Sequence, residues 1–326
     1  MESQEPKEIR WGIIGPGKIA HRFAQDLAKV PHCKLIAVAS RNQEKADDFA
    51  KEYGASYALN SYQSLVKHDE VDAVYVATPH SFHKEHSILC LEHGKAVLCE
   101  KPFAMNGEEV EEMIKASTSN NTLLMEALWT AFVPSFQYAL ELIREETYGK
   151  LVSLTADFGF FTPFDESSRV FDKKTGGGSL LDVGIYPIFT ALSFLGSPDN
   201  ITAEATFFEN GTDSSCEMIF HYKDAKAFLK STLLEATPVE ATLICERATV
   251  KIESRFHEPT DITIEENGTS KTIEFDRPTF GYSYEIEHFN QLLRDGKKES
   301  DIMTFERSKD LIKTLDAIRN LINLEY

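Results

Sequence analysis

From Ile9 to Leu27 the chain reads IRWGIIGPGKIAHRFAQDL, and no other stretch restricts the fold as strongly. Ile9 to Ile14 is a short apolar run, long enough for a buried parallel strand. Gly15-Pro16-Gly17 breaks it. Beyond Lys18 the spacing changes: Ile19, Phe23 and Leu27 recur at i, i+4 and i+8, with Ala20, Ala24 and Ala28 beside them, which is one face of a helix. The turn between strand and helix is Gly15-x-Gly17-x-x-Ala20, the dinucleotide fingerprint with alanine in its third small position. Gly15 permits the sharp turn. Gly17 carries no side chain to hold a pyrophosphate off the backbone, and Ala20 lets the helix pack closely on the strand. The free N–H groups at the helix start then face the phosphates. Pro16, Lys18 and Ile19 complete the expected phosphate loop.

The next strand, 34–40 (KLIAVAS), ends in an unusual way. In NAD-binding folds an acidic residue here usually holds the ribose 2′-hydroxyl. This chain has Ala39-Ser40-Arg41. A carboxylate would repel a 2′-phosphate, whereas a hydroxyl and a guanidinium would bind one, so Ser40 and Arg41 point to NADP rather than NAD. The plainer alternative is a solvated arginine at the start of a helix. Residues 43–53, 61–67, 80–93 and 107–117 then read as helices, and 71–78, 96–100 and 122–128 as strands. Strands and helices alternating over this length predict a doubly wound parallel sheet, the first domain, at 1–128. Ligands in such sheets bind at the carboxyl ends of the strands. That adds Thr78, Pro79, Glu100, Lys101 and Pro102 to the expected cofactor contacts, with His83 nearest a strand end.

A chain of 326 residues suggests two domains. Beyond residue 128 the pattern changes to strands without helices between them, at about 201–209, 215–222, 226–234, 239–246, 249–253, 261–266 and 271–275. Asn210-Gly211 and Asn267-Gly268 are hairpin turn signals. Helices are expected at 134–147, 179–195, 283–295 and 305–323. The second domain, 129–326, therefore reads as an α+β unit with a large open, mostly antiparallel sheet covered by helices on one side. Such a sheet leaves a broad second face, usually buried against its twin, so a homodimer is expected.

With 34 basic and 52 acidic residues the formal net charge is −18, which argues against nucleic acid or an anionic membrane as partner. No apolar run approaches the roughly 20 residues of a membrane span. The start, MESQEPKEIRW, is polar, and the five cysteines are odd in number and scattered, as reduced thiols in the cytoplasm would be. His83, His86, Cys90 and His93 have a metal-like spacing, but no second cluster closes a ligand set, so no metal is expected.

Two stretches bring chemistry to the expected crevice. Lys101 directly follows the strand AVLCE, where a cation could stabilise an alkoxide or tune a neighbouring acid; alternatively it is a surface lysine. In GGGSLLDVGIYP, 176–187, Asp182 and Tyr186 stand four apart in apolar surroundings. A carboxylate there needs a cation. Lys101 is one candidate, and a purely structural Asp–Arg pair is the alternative. Trp129, Phe160 and Phe161, with Arg169, could line a pocket for a sugar, or could be core packing.

GPGKIA, TPHSFH at 78–83, EKP at 100–102 and GGGSLLDVGIYP together resemble the glucose–fructose oxidoreductase / inositol dehydrogenase (Gfo/Idh/MocA) family over essentially the whole chain. MEALW at 125–129 and the tyrosine of LDVGIYP are similar to the branch of dimeric dihydrodiol dehydrogenase and NADP-dependent D-xylose dehydrogenase. Many other members have histidine in place of Tyr186. The resemblance implies a Rossmann domain followed by an open-sheet domain, dimers through that sheet, and a cis peptide before Pro102. It also implies that Lys101 and Tyr186 are catalytic with Asp182 beside them. With Trp129, Phe160 and Arg169 from the pocket reading above, Asp182 and Tyr186 make up the expected substrate contacts. The expected activity is NADP-dependent hydride transfer with a small polyol, sugar or cyclic diol. The alternatives are a cofactor-dependent glycosidase using transient hydride transfer and a non-catalytic NADP-binding sensor.

Overall fold

The computed structural model describes residues 6–326; the first five residues of the polar N-terminal segment lie outside the described residues. Two compact units result, one up to Trp129 with Thr279–Lys309, the other Thr130–Pro278 with Asp310–Tyr326.

The first unit is built on β1 (Ile9–Ile14), α1 (Lys18–Leu27), β2 (Cys33–Ala39), α2 (Gln43–Tyr53), β3 (Tyr57–Leu59), α3 (Tyr62–Val66), β4 (Ala73–Val76), α4 (His83–Glu92), β5 (Ala96–Glu100), α5 (Gly107–Asn120) and β6 (Leu124–Ala127). The sheet is parallel, with order β3-β2-β1-β4-β5-β6. The direction of winding reverses beside β1, the position that places a ligand crevice at the strands' carboxyl ends. Local chemistry sets the ends of the helices. Asn42 caps α2 by accepting the Lys45 N–H, and Gly54, at φ 72°, ends it in the left-handed region. Asn106 does the same for α5 by accepting the Glu109 N–H. β3 was not expected from the sequence; its three residues pair only with β2 and are all half-buried.

The second unit begins with α6 (Pro134–Arg144) and β7 (Leu151–Gly159). A π-helical turn, Leu180–Gly184, leads into α7 (Ile185–Leu195). Then come β8 (Asn200–Phe207), β9 (Asp213–His221), β10 (Lys226–Thr232), β11 (Ala241–Cys245), β12 (Ala248–Ile252), β13 (Ile262–Glu266) and β14 (Thr269–Ile273). Two helices end the chain: α8 (Tyr282–Arg294), which belongs to the first unit, and α9 (Phe305–Leu321), of which residues 310–321 belong to the second. The strands form one sheet in the order β14-β13-β12-β11-β7-β10-β9-β8, antiparallel except where β7 and β10 run parallel. Alternation places Leu154, Ala156, Met218, Phe220, Leu229 and Leu243 on the buried face against α7. The stretch Lys173–Leu195 is long and apolar enough to cross a membrane, but 78% of its apolar window is buried inside the fold, as in a core helix.

Residues 279–309, read from the sequence as part of the second domain, pack on the first unit instead. The cause is Asp26, a fully buried carboxylate on the inner face of α1. It accepts the N–H groups of Phe280, Gly281 and Tyr282 at 3.1, 3.0 and 2.9 Å and so caps α8. Trp11 adds a second tie, donating to Asn290 at 3.0 Å while its ring meets Phe23 edge-on.

Candidate functional site

The candidate cofactor residues lie in the first unit. Gly15 has φ +86°, and a Cβ there would stand 2.9 Å from the Ala77 carbonyl oxygen, so only glycine fits. Gly17 faces open space, and no side chain caps the start of α1. The first N–H groups of α1 are thus left for an outside acceptor, which fits a dinucleotide pyrophosphate. Pro16 and Ile19 are half-buried beside exposed Lys18, and Ala20 is buried against the sheet.

At the end of β2, Ser40 is buried and accepts the Asn42 N–H at 3.2 Å. Arg41 is exposed, with its guanidinium over the Phe82 ring at 5.7 Å. It also neighbours Tyr62, whose phenol burial pushes up while the charge and hydrogen bond of Arg41 pull it part of the way back. Phe82 and Tyr62 thus flank an exposed cation at the strand end where a 2′-phosphate would be read.

His83 and Glu100, expected among the cofactor contacts, are engaged by the protein itself. His83 is fully buried; its Nδ1 is 2.8 Å from the Pro102 carbonyl oxygen and its Nε2 2.7 Å from that of Thr78. Carbonyls only accept, so the geometry asks both nitrogens to donate, as in the imidazolium. His83 therefore ties the end of β4 to the Lys101-Pro102 turn. Thr78 is held further by His86, at 3.0 Å from its hydroxyl, and half-buried Pro79 follows. Glu100 accepts the Tyr75 hydroxyl and, at 3.2 Å, the Lys101 N–H. The Lys101–Pro102 peptide is cis. Just beyond it, Glu126 of β6 accepts the Phe103 N–H at 3.0 Å; burial pushes this carboxyl up to about 7. Glu126 was not picked out from the sequence, although an acid inside the apolar run TLLMEAL was a visible signal. Trp129 is nearly buried and stacks on Tyr282 at 4.3 Å.

In the second unit the candidate residues lie on the π turn and α7. Asp213 organises its start. Its carboxylate accepts the Ser179 hydroxyl at 2.7 Å and the Leu180 N–H at 2.6 Å. Gly178, at φ +119°, leaves the space for it, since a Cβ there would overlap Asp213 Oδ1. Burial pushes the Asp213 carboxyl up to about 6 against these bonds. Gly184 allows close packing on Ser231 of β10. A π turn is wider than an α turn and often sits where function requires an altered side-chain direction. It carries Asp182, whose Oδ1 receives Arg169 Nη2 at 3.0 Å. Two expected substrate residues are therefore paired with each other. One turn later Tyr186 is 6% exposed, its ring 5.5 Å from Phe158 and 4.9 Å from His257. Phe160 is half-buried, and Phe161 is 66% exposed. Asp213 and His257 have no sequence motif; only folding brings them to α7. Among the described residues no three His, Cys, Asp or Glu side chains are grouped to hold a metal ion.

Comparison with known proteins agrees with this arrangement. Residues 9–128 match the oxidoreductase family with an NAD-binding Rossmann fold, and residues 136–251 match the Gfo/Idh/MocA C-terminal domain. A trans-1,2-dihydrobenzene-1,2-diol dehydrogenase of Xenopus tropicalis is 34% identical, covering 97% of this chain and 99% of that protein. The NADP(+) scyllo-inositol 2-dehydrogenase IolU of Bacillus subtilis is 33% identical over 98% of each. A variant of a 3-ketoreductase from Actinomadura kijaniata, solved with TDP-benzene and NADP, superposes with a TM-score of 0.88 at 25% identity, covering 97% of this chain and 98% of that one. On fold, sequence and the glycine turn together, the chain belongs to the Gfo/Idh/MocA family of NAD(P)-dependent oxidoreductases, which act on CH–OH groups.

Proposed function

We propose that the protein is a cytoplasmic, NADP-dependent dehydrogenase or reductase of a small polyol, sugar or cyclic diol. The observation that carries this reading is Tyr186, nearly buried one turn after the Asp182–Arg169 pair. The pair offers hydrogen bonds to hydroxyl groups in an otherwise apolar stretch, and the tyrosine offers an acid–base group. The named activities of the diol and inositol dehydrogenase relatives support the substrate class. Arg41 at the end of β2, where NAD-binding folds carry an acid, supports NADP. When bound, NADP would supply the hydride acceptor. Tyr186 takes the hydroxyl proton of the carbinol as general base. Lys101 stabilises the developing negative charge and favours the ionised tyrosine, and Asp182 orients a substrate hydroxyl. Neither nucleic acid nor membrane is a partner in this reading, and the working form is a homodimer.

A screen of aldoses, inositols and dihydrodiols, followed by NADPH absorbance, tests the reading. Net NADPH formation is expected; product release with no net NADPH would indicate transient hydride transfer, and binding without turnover a sensor. Tyr186→Phe should lower kcat by about 10²–10⁴ with NADP affinity little changed. Lys101→Met should cost a similar factor, and the double variant should be hardly worse than either, because residues acting as a unit are not additive. Near-parent activity in Tyr186→Phe would remove the tyrosine from the mechanism.

A further inference from the structure

The loop that carries His257 is built under backbone strain. Val239 has φ +58° and Arg255 φ +65°, both non-glycine residues in the left-handed region, and Val239 is β-branched. Such conformations persist only where surroundings enforce them, and they cluster at functional sites. Here the enforcement is visible. The Val239 carbonyl accepts the N–H groups of both Arg255 and Phe256, at 2.8 and 3.2 Å, and the Val239 N–H donates to Asp157 Oδ1 at 2.8 Å. Thr130 donates its hydroxyl to the His257 carbonyl at 2.9 Å. The result is a histidine only 4% exposed, with its ring 4.9 Å from that of Tyr186 and 4.4 Å from that of Phe158.

A buried imidazole against two aromatic rings would ordinarily be neutral. His257 has a carboxylate at hand: its Nε2 is 3.6 Å from Glu258 Oε1. Burial alone would raise the Glu258 carboxyl, but hydrogen bonding to His257 and Arg255, with the charges of both, holds it at about 2. Glu258 and Arg255 are charged groups beside the ring on its own loop. The Asp182–Arg169 pair lies one turn before Tyr186. Phe158 of β7 is uncharged, and Asp157 beside it is bound to the Val239 N–H.

We propose that His257, kept as an imidazolium by Glu258, is a positioning residue that lies against the Tyr186 ring and favours its phenolate form. A cation within about 6 Å of an aromatic centroid is attracted by the ring's electrons. The attraction grows when the phenol ionises, because the ring then carries net negative charge. The role rests on the reading of Tyr186 as general base, but it concerns the ionisation of that residue and can be measured apart from turnover.

The test is a titration of tyrosinate absorbance. The signal lost in Tyr186→Phe isolates Tyr186 in the parent, and the same subtraction is made in His257→Phe and Glu258→Gln backgrounds. His257→Phe keeps a ring in the stack and removes the charge; Glu258→Gln keeps the imidazole and removes the anion that holds its proton. Both should move the ionisation of Tyr186 upward by about one pH unit or more, and the rising limb of the oxidative pH–rate profile with it. An unmoved ionisation in both variants overturns the proposal, including where activity falls equally at every pH, which would mark a packing role. A shift in His257→Phe with none in Glu258→Gln overturns the pairing that the proposal requires. If Tyr186→Phe retains activity while the ionisation shifts as expected, the general-base reading fails and the His257 interaction stands.

Discussion

In the reading we propose, cofactor choice turns on Arg41. Among the described residues no carboxylate is paired with it; its guanidinium rests over Phe82 and beside Tyr62. A cation so placed is free to meet a 2′-phosphate with charge-assisted hydrogen bonds. NADP should bind more tightly than NAD, and Arg41→Ala should remove most of the preference. One such contact is worth about 1.5–3 kcal/mol, or roughly ten- to a hundredfold in the ratio of dissociation constants. Equal discrimination by variant and parent would show that Arg41 does not read the phosphate. The positions of Gly15, Gly17 and Arg41 were legible because they follow from local sequence: a turn, an open backbone, a strand end. His83 was only half legible. Its position in TPHSFH indicated the crevice, but nothing in the sequence showed that both ring nitrogens would be taken by backbone carbonyls. Asp213 and His257 were not legible, since each acts on a helix far from it in sequence.

At the scale of elements, periodicity predicted nearly every helix and strand, with shifts of a few residues at their ends. It missed β3, whose three residues are too few to show a period. It also read 179–195 as one regular helix, because the widening at Leu180–Gly184 depends on the Asp213 carboxylate and on close packing at Gly184. The junction of β5 and β6 is a further case. Glu126 pairs in register with Cys99 and reaches the Phe103 N–H after the cis peptide. Its folded-state carboxyl, pushed up from 4.5 to about 7 by burial, holds a proton that the unfolded chain releases. Between these two values the folded state binds more protons. The contribution of this side chain to stability is therefore greatest at low pH and falls as pH rises through that window. Glu126→Gln keeps the acceptor for Phe103 and cannot ionise. Relative to the parent it should gain stability from about pH 5 to about pH 8, by on the order of 1–3 kcal/mol. Urea unfolding midpoints across that range measure it; a difference independent of pH would mean that Glu126 titrates normally.

For the whole molecule, the two sheets were readable as a parallel and a mostly antiparallel unit, but the membership of α8 was not. It depends on Asp26 capping a helix more than 250 positions along the chain. In the homodimer we propose, the larger sheet supplies the interface. Its inner face is closed by Leu154, Met218, Leu229 and Leu243, all 3% exposed or less. Its outer face is not closed within the chain. Phe228 and Ile219 pair across β10 and β9 on that face, and Phe228 and Ile244 are 43% and 44% exposed. Lys230 beside them is bridged to Glu217 and Glu235, which lowers the cost of bringing a second surface against it. An extended face of this mixed kind supports our proposal of a homodimer through the sheet. Light scattering at micromolar concentration should give twice the chain mass, and a monomer mass would refute it. Phe228→Glu removes a large apolar contact from each protomer and adds like charges that meet across the axis. Burying one such ring is worth about 1.5–3 kcal/mol, so the dimer should weaken at least roughly a hundredfold when both copies change. The variant should run as a monomer with its secondary structure intact, because Phe228 contributes nothing to the sheet's inner core.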